Sequence, residues 1–92
     1  MIKSYKCKKT RQLAEGTVPR AFQVFAVQAE RRLRRLEAAV ELNDLRNPPS
    51  NHFEVLIGDR KDQYSIRINV QWRICFTWVD GAACDVEIVD YH

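Results

Sequence analysis

The stretch YSIRINVQWRICFTW, residues 64–78, decides the fold because its apolar side chains alternate with polar ones. Such alternation is typical of β-strands that rest one face on a core, whereas a helix would repeat every three to four residues. The stretch therefore predicts two strands of an antiparallel hairpin. The even-numbered residues should face the core and the odd-numbered ones should face outward; the inward set is Ile66, Ile68, Trp72, Ile74, Phe76 and Trp78.

Further candidate strands flank this hairpin on both sides. Asp80-Gly81 is a strong signal for a second hairpin turn, and Gly58–Asp62 indicates a turn before Tyr64. The sequence thus predicts a small, mainly antiparallel sheet of three to five strands. Its additional candidate strands are His52–Leu56, the residues around Val86 and Ile88, and a short edge strand at Ile2–Lys6.

The first half of the chain follows a helical pattern. A brief helix is predicted from Thr10, as its cap, to Glu15, and a longer one opens at Pro19 and runs to about Val40. Residues 42–45 could add one turn, and residues 47–51 form a loop within one domain. We therefore predict a single α+β domain over residues 1–92, with two layers. The apolar stripe that would pack on the sheet is Phe22, Phe25, Ala26, Ala29, Leu33, Leu36 and Val40.

The formal net charge of +3 hides an uneven distribution along the 92 residues. Residues 1–46 hold eleven Lys and Arg against five Asp and Glu, which gives +6, whereas residues 47–92 hold four against seven, which gives −3. A basic half attracts an anionic polymer, and the alternative is a merely solubilising surface. The chain is too short to enclose a deep cofactor cavity, which argues against a large metabolic enzyme.

Membrane, secretion and metal-binding signals are missing from the sequence. No apolar run approaches the roughly 20 residues of a membrane helix, and residues 1–6 lack the apolar core of a signal peptide. Cys7, Cys75 and Cys84 contain no C-x-x-C pair, so we expect reduced thiols in the cytoplasm. Because the two histidines are also far apart, we expect no metal and no other cofactor.

Two arginines and the last three residues carry the candidate chemistry. With a turn centred on Val70, Arg67 and Arg73 face each other across the hairpin, which is unfavourable unless an anion lies between them. That anion could be Glu87 on the next strand, or a phosphate. The chain closes on Asp90-Tyr91-His92. Acid and base groups beside a phosphate-binding pair are what RNA cleavage by its own 2′-hydroxyl requires.

Several short motifs stand together in the second half: Gly58-Asp59-Arg60-Lys61, Tyr64-Ser65-Ile66, Asn69, Trp72-Arg73-Ile74, Asp80-Gly81 and Asp90-Tyr91-His92. With the opening Met1-Ile2-Lys3-Ser4, they resemble the HigB-type toxins, or plasmid-maintenance killer proteins, of the RelE/ParE superfamily. The resemblance spans the chain and is strongest over residues 54–92. It implies helices on a small antiparallel sheet and a ribosome-dependent, metal-independent mRNA endonuclease that stops translation.

The resemblance also implies roles for single residues and for partners. Asp90, Tyr91 and His92 match the catalytic triplet, Arg73 matches the arginine that holds the scissile phosphate, and Arg60 with Lys61 matches an RNA-contacting turn. To the RNA-binding set we add Arg67 and Lys8. The implied partners are a HigA-like helix-turn-helix antitoxin, mRNA in the ribosomal A site and the 16S rRNA of the 30S subunit. Operator DNA is reached only through the antitoxin, and no membrane is involved.

The sequence departs from some relatives just before Gly58. Glu54 stands where they carry a catalytic His, and Ile57 stands where they carry a Lys. Glu54 could serve as the base, or His52 could partly substitute, because both point to the same side of the predicted strand. Two other functions stay open: a ParE-like poison of DNA gyrase, which does not require this tail, and a nucleic-acid-binding module without cleavage.

Overall fold

Four antiparallel β-strands form one sheet in which spatial order follows sequence order, as shown by the computed structural model. The structure describes residues 1–90. The sheet and the helices confirm the predicted α+β class. The strands are β1 (Glu54–Val55), β2 (Tyr64–Arg67), β3 (Trp72–Val79) and β4 (Ala82–Asp90).

The predicted edge strand at Ile2–Lys6 is present only as two isolated parallel bridges. Ile2 lies beside Ala83 and Tyr5 beside Val86, so this segment covers the outer edge of β4. The predicted strand His52–Leu56 shrinks to the two residues of β1. His52 adopts the left-handed conformation, with φ of 44°, and closes a 3-10 turn at Pro49–Asn51 instead of extending β1.

The long helix predicted to open at Pro19 is wrong in its first part. Pro19 is extended and caps a 3-10 helix at Arg20–Phe25, and the regular helix α2 covers only Ala26–Ala38. Side chains three residues apart eclipse in a 3-10 helix. Phe22 and Phe25 therefore both reach Trp72, with ring centroids 6.0 and 4.9 Å from the indole. Val40 lies beyond α2 and is 75% exposed, so it is not part of the apolar stripe.

The first helix, α1 (Lys8–Ala14), is capped by Cys7 and not by Thr10 as predicted. The Cys7 sulfur accepts a hydrogen bond from the Thr10 N–H at 3.4 Å. Thr10 lies inside the helix and is fully buried, and its hydroxyl oxygen accepts the N–H of Ile88 at 3.0 Å. The threonine thus supplies an acceptor that β4 lacks at its edge.

The core lies between the helices and the even-numbered face of the sheet. The predicted stripe from Phe22 to Leu36 is buried. A short 3-10 turn at Leu42–Arg46, as predicted, follows α2 on the way to the sheet, and another at Gly58–Arg60 lies between β1 and β2. No helix within residues 1–90 is long and apolar enough to cross a membrane. The sheet contributes Ile66, Ile68, Ile74, Phe76, Val86 and Ile88 to the core, with Trp72 and Trp78 packed against it.

Candidate functional site

The face of the sheet that points away from the helices carries a row of four polar residues, one from each strand. Glu54 lies opposite Ser65, Ser65 opposite Cys75, and Cys75 opposite Glu87. The sequence predicts that this face is open to solvent. That prediction is wrong for the centre of the row, because Ser65 and Cys75 are fully buried. Charged side chains at the two ends of the row and from neighbouring turns enclose the small ones between them.

The charged groups around Cys75 affect the pKa of its thiol. Burial raises the pKa of the Cys75 thiol above its ordinary value. Arg60 and Arg73 oppose the rise, and Glu87 and Glu54 add to it. Two cations and two anions are thus close enough to one buried atom to act on its protonation. Charged groups of both signs therefore surround the uncharged centre of this face.

Arg67 and Arg73 are direct partners in the β2–β3 register, as the turn at Val70 predicts. Their side chains nevertheless bind different groups. The Arg67 Nε donates to the carbonyl oxygen of Asn69 at 3.0 Å, and the Arg32 Nε of α2 donates to the Arg67 carbonyl at 2.8 Å. The hydrogen bond from its side chain to Asn69 and the one that its carbonyl accepts from Arg32 therefore hold Arg67 beside the hairpin turn.

Arg73 is enclosed in a network of its own, and only 8% of the residue is exposed. Its Nε donates to the Ser65 hydroxyl oxygen at 2.8 Å, and a terminal nitrogen donates to the His52 carbonyl oxygen. Its other terminal nitrogen lies 3.7 Å from Glu54 Oε1. A guanidinium with this many partners has a fixed plane, which orients its N–H donors for a bidentate contact with an anion.

Glu87 does not lie between the two arginines, which corrects one of the two sequence-based alternatives. Its Oε1 accepts a hydrogen bond from Arg60 Nη1 at 2.9 Å and lies 3.7 Å from the Lys6 ammonium. Arg60 also donates to the amide oxygen of Gln63 at 3.1 Å. The arginine of the 3-10 turn is thereby anchored over β4.

The end of β4 brings the start of the tail close to Arg73. Val89 is the direct partner of Arg73, and Asp90 is the partner of Trp72. Since directly opposed residues share a face, Asp90 belongs to the helix side, where it accepts a hydrogen bond from Gln71 at 3.1 Å. Tyr91 and His92 lie outside the described residues.

The other predicted site residues have varied surroundings. His52 and Glu54 do not extend one strand together, because His52 is left-handed, so the basis for interchanging them is wrong. Lys61 follows the 3-10 turn and Lys8 begins α1, and both are exposed. Among residues 1–90, no three His, Cys, Asp or Glu side chains gather as a metal site.

Sequence reasoning missed two groups that hold Arg73: the Ser65 hydroxyl and the His52 carbonyl. A signal for Ser65 exists, because a small polar residue stands opposite Cys75 and two positions before Arg67 on the same face. No side-chain pattern could reveal the carbonyl, since it is a backbone atom brought in by a loop. The arrangement as a whole can bind an anion at Arg73 with a carboxylate beside it.

Comparison with known proteins supports one family throughout. The family model for the RelE-like toxin of type II toxin-antitoxin system HigB matches residues 11–92. Toxin HigB-1 of Vibrio cholerae serotype O1 is 53% identical over 53 residues, which are 58% of this chain and 56% of that protein. Endoribonuclease HigB of Proteus vulgaris is 35% identical over 95 residues, which cover 100% of both proteins. The chain thus spans about half of the first relative and all of the second.

A solved structure shows the same fold. The YoeB-YefM complex from Staphylococcus aureus contains a chain that matches with a TM-score of 0.58 and 17% identity. The match covers 100% of the present chain and 98% of that one. At this identity the likeness concerns the fold alone, and it agrees with the sheet and helices described above.

Proposed function

The chain belongs to the HigB-like family, the RelE-like toxins of type II toxin-antitoxin systems, and from this we propose that it is an endoribonuclease that cuts mRNA on the ribosome and stops translation. The observation that carries the proposal is the fixed guanidinium of Arg73, held by Ser65 and His52 with Glu54 at 3.7 Å. An RNA phosphate bound at Arg73 would lie beside Glu54, and we propose that the Glu54 carboxylate reaches the 2′-hydroxyl of the adjacent ribose. The Proteus vulgaris relative is itself named an endoribonuclease.

The reaction proposed is a transfer of the phosphate within the RNA. The 2′-oxygen forms a bond to phosphorus while the bond to the 5′-oxygen breaks, which leaves a 2′,3′-cyclic phosphate and a 5′-hydroxyl. Glu54 is the candidate acceptor of the 2′-hydroxyl proton, since its side chain is 50% exposed beside Arg73. Tyr91 and His92 are the candidates to donate a proton to the leaving oxygen, since Asp90 lies on the helix side of the sheet, away from Arg73. Arg73 offsets the charge that develops on the phosphate.

Other cations are proposed to guide the RNA to this face. Arg60 and Arg67 lie near the row, and Lys61 extends from the adjacent turn into solvent. Lys8 adds charge in the basic half. Phosphate contacts of this kind position a nucleic acid without reading its sequence, so these residues should set affinity and salt dependence.

The proposed partners follow from the family and from the charge distribution. A HigA-like helix-turn-helix antitoxin would neutralise the toxin, in line with the toxin-antitoxin complex that shares its fold. Operator DNA would be reached only through that antitoxin. The mRNA codon in the A site and the 16S rRNA of the 30S subunit would be met by a basic half of charge +6. The proposed location is accordingly the cytoplasm, where translation occurs.

Induction of the chain in cells, followed by mapping of mRNA 5′ ends, tests the function. We expect cuts within translated codons that disappear with Arg73→Ala and with His92→Ala. Arg31→Ala, an exposed arginine on α2, is the matched control and should keep the cuts. A chain without its last two residues that still arrests translation would contradict the mechanism. Double-strand DNA breaks with intact mRNA would favour a gyrase poison, and salt-dependent binding without cleavage would favour a binding module.

A further inference from the structure

A groove of about 510 Å³ lies on the helix side of the molecule, between the N-terminal segment, α1 and α2. Its apolar lining includes Ile2, Tyr5, Leu13 and Leu33. Leu13 and Leu33 are buried in the core, whereas Ile2 and Tyr5 remain half-buried at the surface. The groove therefore offers an apolar floor that solvent can reach.

Three carboxylates line the same groove: Glu15, Glu30 and Glu37. Residues 1–46 contain only five acidic residues beside eleven basic ones, so most of the acidic charge of the basic half is at this one place. Two of these carboxylates affect the pKa of Tyr5, whose phenol ring lines the floor of the groove. Burial raises the pKa of Tyr5, and Glu37 and Glu15 raise it further. Arg34 also lines the groove, and three carboxylates against one guanidinium leave the groove negative on an otherwise positive half.

Two of these carboxylates stand where local helix chemistry disfavours them. Glu15 is the C-cap of α1, and Glu37 lies in the last turn of α2. The C-terminal end of a helix carries partial negative charge, which favours cations and not carboxylates. Glu37 accepts the N–H of Ile2 at 2.6 Å, and Glu30 has an exposed ion pair with Arg34 at 3.8 Å. Breaking a local rule at a solvent-exposed groove is typical of a functional site.

We infer that this groove docks a segment of the antitoxin that carries a Lys or Arg beside an apolar residue. The inference rests on the proposed function, because that function supplies the antitoxin. The long stem of a Lys or Arg can lie on the floor while its charged head reaches the carboxylates. RNA does not fit this groove, since the same carboxylates repel phosphates. The groove and the Arg73 face lie on opposite sides of the sheet.

The test compares two triple variants of the full chain that each lose three negative charges. One is Glu15→Gln with Glu30→Gln and Glu37→Gln, which keeps side-chain size and leaves an acceptor for Ile2. The matched control carries amides at positions that do not line the groove and that have positive φ, which asparagine adopts readily. Its changes are Asp62→Asn, Asp80→Asn and Asp85→Asn.

Affinity is measured against the full-length antitoxin encoded beside the toxin gene, at low and at physiological salt. Removing the attraction of the three carboxylates for the docked cation, each of ordinary surface ion-pair strength, should weaken binding by about tenfold. The salt dependence of binding should also become smaller, while the control stays within about twofold of the unaltered chain. Equal loss in both variants would reduce the effect to bulk charge and overturn the inference. Unchanged affinity in the groove variant, or an unaltered chain that binds no antitoxin, would overturn it too.

A photo-crosslinking residue in place of Ala14, which is exposed at the groove, identifies the occupant. The crosslinked peptide should come from the antitoxin and contain a Lys or Arg. A peptide from a second copy of this chain, or one without a cation, would count against the inference. Growth arrest by the groove variant without antitoxin reports separately on the proposed function, since these carboxylates have no part in cleavage.

Discussion

Arg67 and Arg73 are direct partners across two strands, yet one guanidinium is tied to the hairpin turn and the other is enclosed by Ser65, His52 and Glu54. Two like charges facing each other cost stability unless other groups take up their hydrogen bonds. Here each arginine finds separate acceptors, so the pair needs no shared anion to be stable. Arg73 is thereby left as a rigid group with a carboxylate at its side.

Removing the Ser65 hydroxyl should loosen Arg73. In Ser65→Ala the buried Nε of Arg73 loses its acceptor, and an unsatisfied buried donor costs about 1–3 kcal/mol. We expect a lower thermal midpoint of unfolding. We also expect the rate of cleavage of translated mRNA to fall by about tenfold, because the Arg73 guanidinium is no longer held in a fixed orientation toward the phosphate. Ser50→Ala, at an exposed serine, is the control. Full cleavage by a folded Ser65→Ala chain would show that this bond does not align the arginine.

A cation at position 57 should strengthen RNA binding. Ile57 is 87% exposed directly before the 3-10 turn that carries Arg60. Ile57→Lys places an ammonium beside this turn, where it should contact one additional RNA phosphate. Cleavage should rise, and the affinity for RNA should fall more steeply with salt, by the slope expected for about one phosphate contact. Val70→Lys, also 87% exposed but at the β2–β3 turn, controls for added charge. No change, or a fall, at position 57 would mean that the site does not meet phosphate.

The hydroxyl of Thr10 should matter more than its methyl group. Thr10→Val has nearly the same shape but removes the acceptor for the buried N–H of Ile88, which should lower the free energy of unfolding by about 1–3 kcal/mol. Thr10→Ser keeps the oxygen and should lose less. Urea unfolding of the two variants measures the difference. A valine variant as stable as the serine variant would show that β4 finds another acceptor.

The turn at Leu42–Arg46 should lose part of its stability in acid. Hydrogen bonds from the N–H groups of Glu41 and Val40 lower the pKa of Asp44. A carboxyl with a lowered pKa in the folded state stabilises above its ordinary pKa, near 4, and that contribution disappears as pH falls through the lower folded value. The urea midpoints of the unaltered chain and Asp44→Ala should therefore differ at neutral pH and converge in strong acid.

Asp44→Asn serves as the comparison for that experiment. Its amide oxygen accepts hydrogen bonds but does not titrate, so the difference between the Asn and Ala variants should stay constant with pH. If the unaltered chain and the alanine variant keep the same separation at every pH, the ionised carboxylate of Asp44 is not what stabilises the turn.

Much of the fold follows from periodicity that the sequence displays directly. Alternation over residues 64–78 predicts β2, β3 and the pairing of Arg67 with Arg73, because one turn length fixes the register. Helix starts were less predictable. Thr10 has the residue type of a helix N-cap, but it is buried inside α1, where its hydroxyl oxygen accepts the N–H of Ile88. Local sequence could not predict this contact, because Ile88 lies 78 residues away.

The charged residues of the candidate site could be predicted from the sequence, but the burial of the residues between them could not. Arg60, Arg73 and Glu54 could be identified from the chain, since charged residues on a strand face or in a turn are visible as letters. The burial of Cys75 could not, because the groups around it come from four separate strands and a turn. The role of the His52 carbonyl depends on a left-handed backbone that no side-chain pattern encodes.

The segment beside β4 joins two parts of the sequence that lie far apart. Ser4 accepts the N–H of Asp85 across 81 residues of sequence, and Thr10 accepts that of Ile88 across 78. Closing a loop of this length costs conformational entropy before either contact can form, and contacts of such long range slow folding. The docking of this segment on β4 is therefore expected to be a slow step in the folding of the domain.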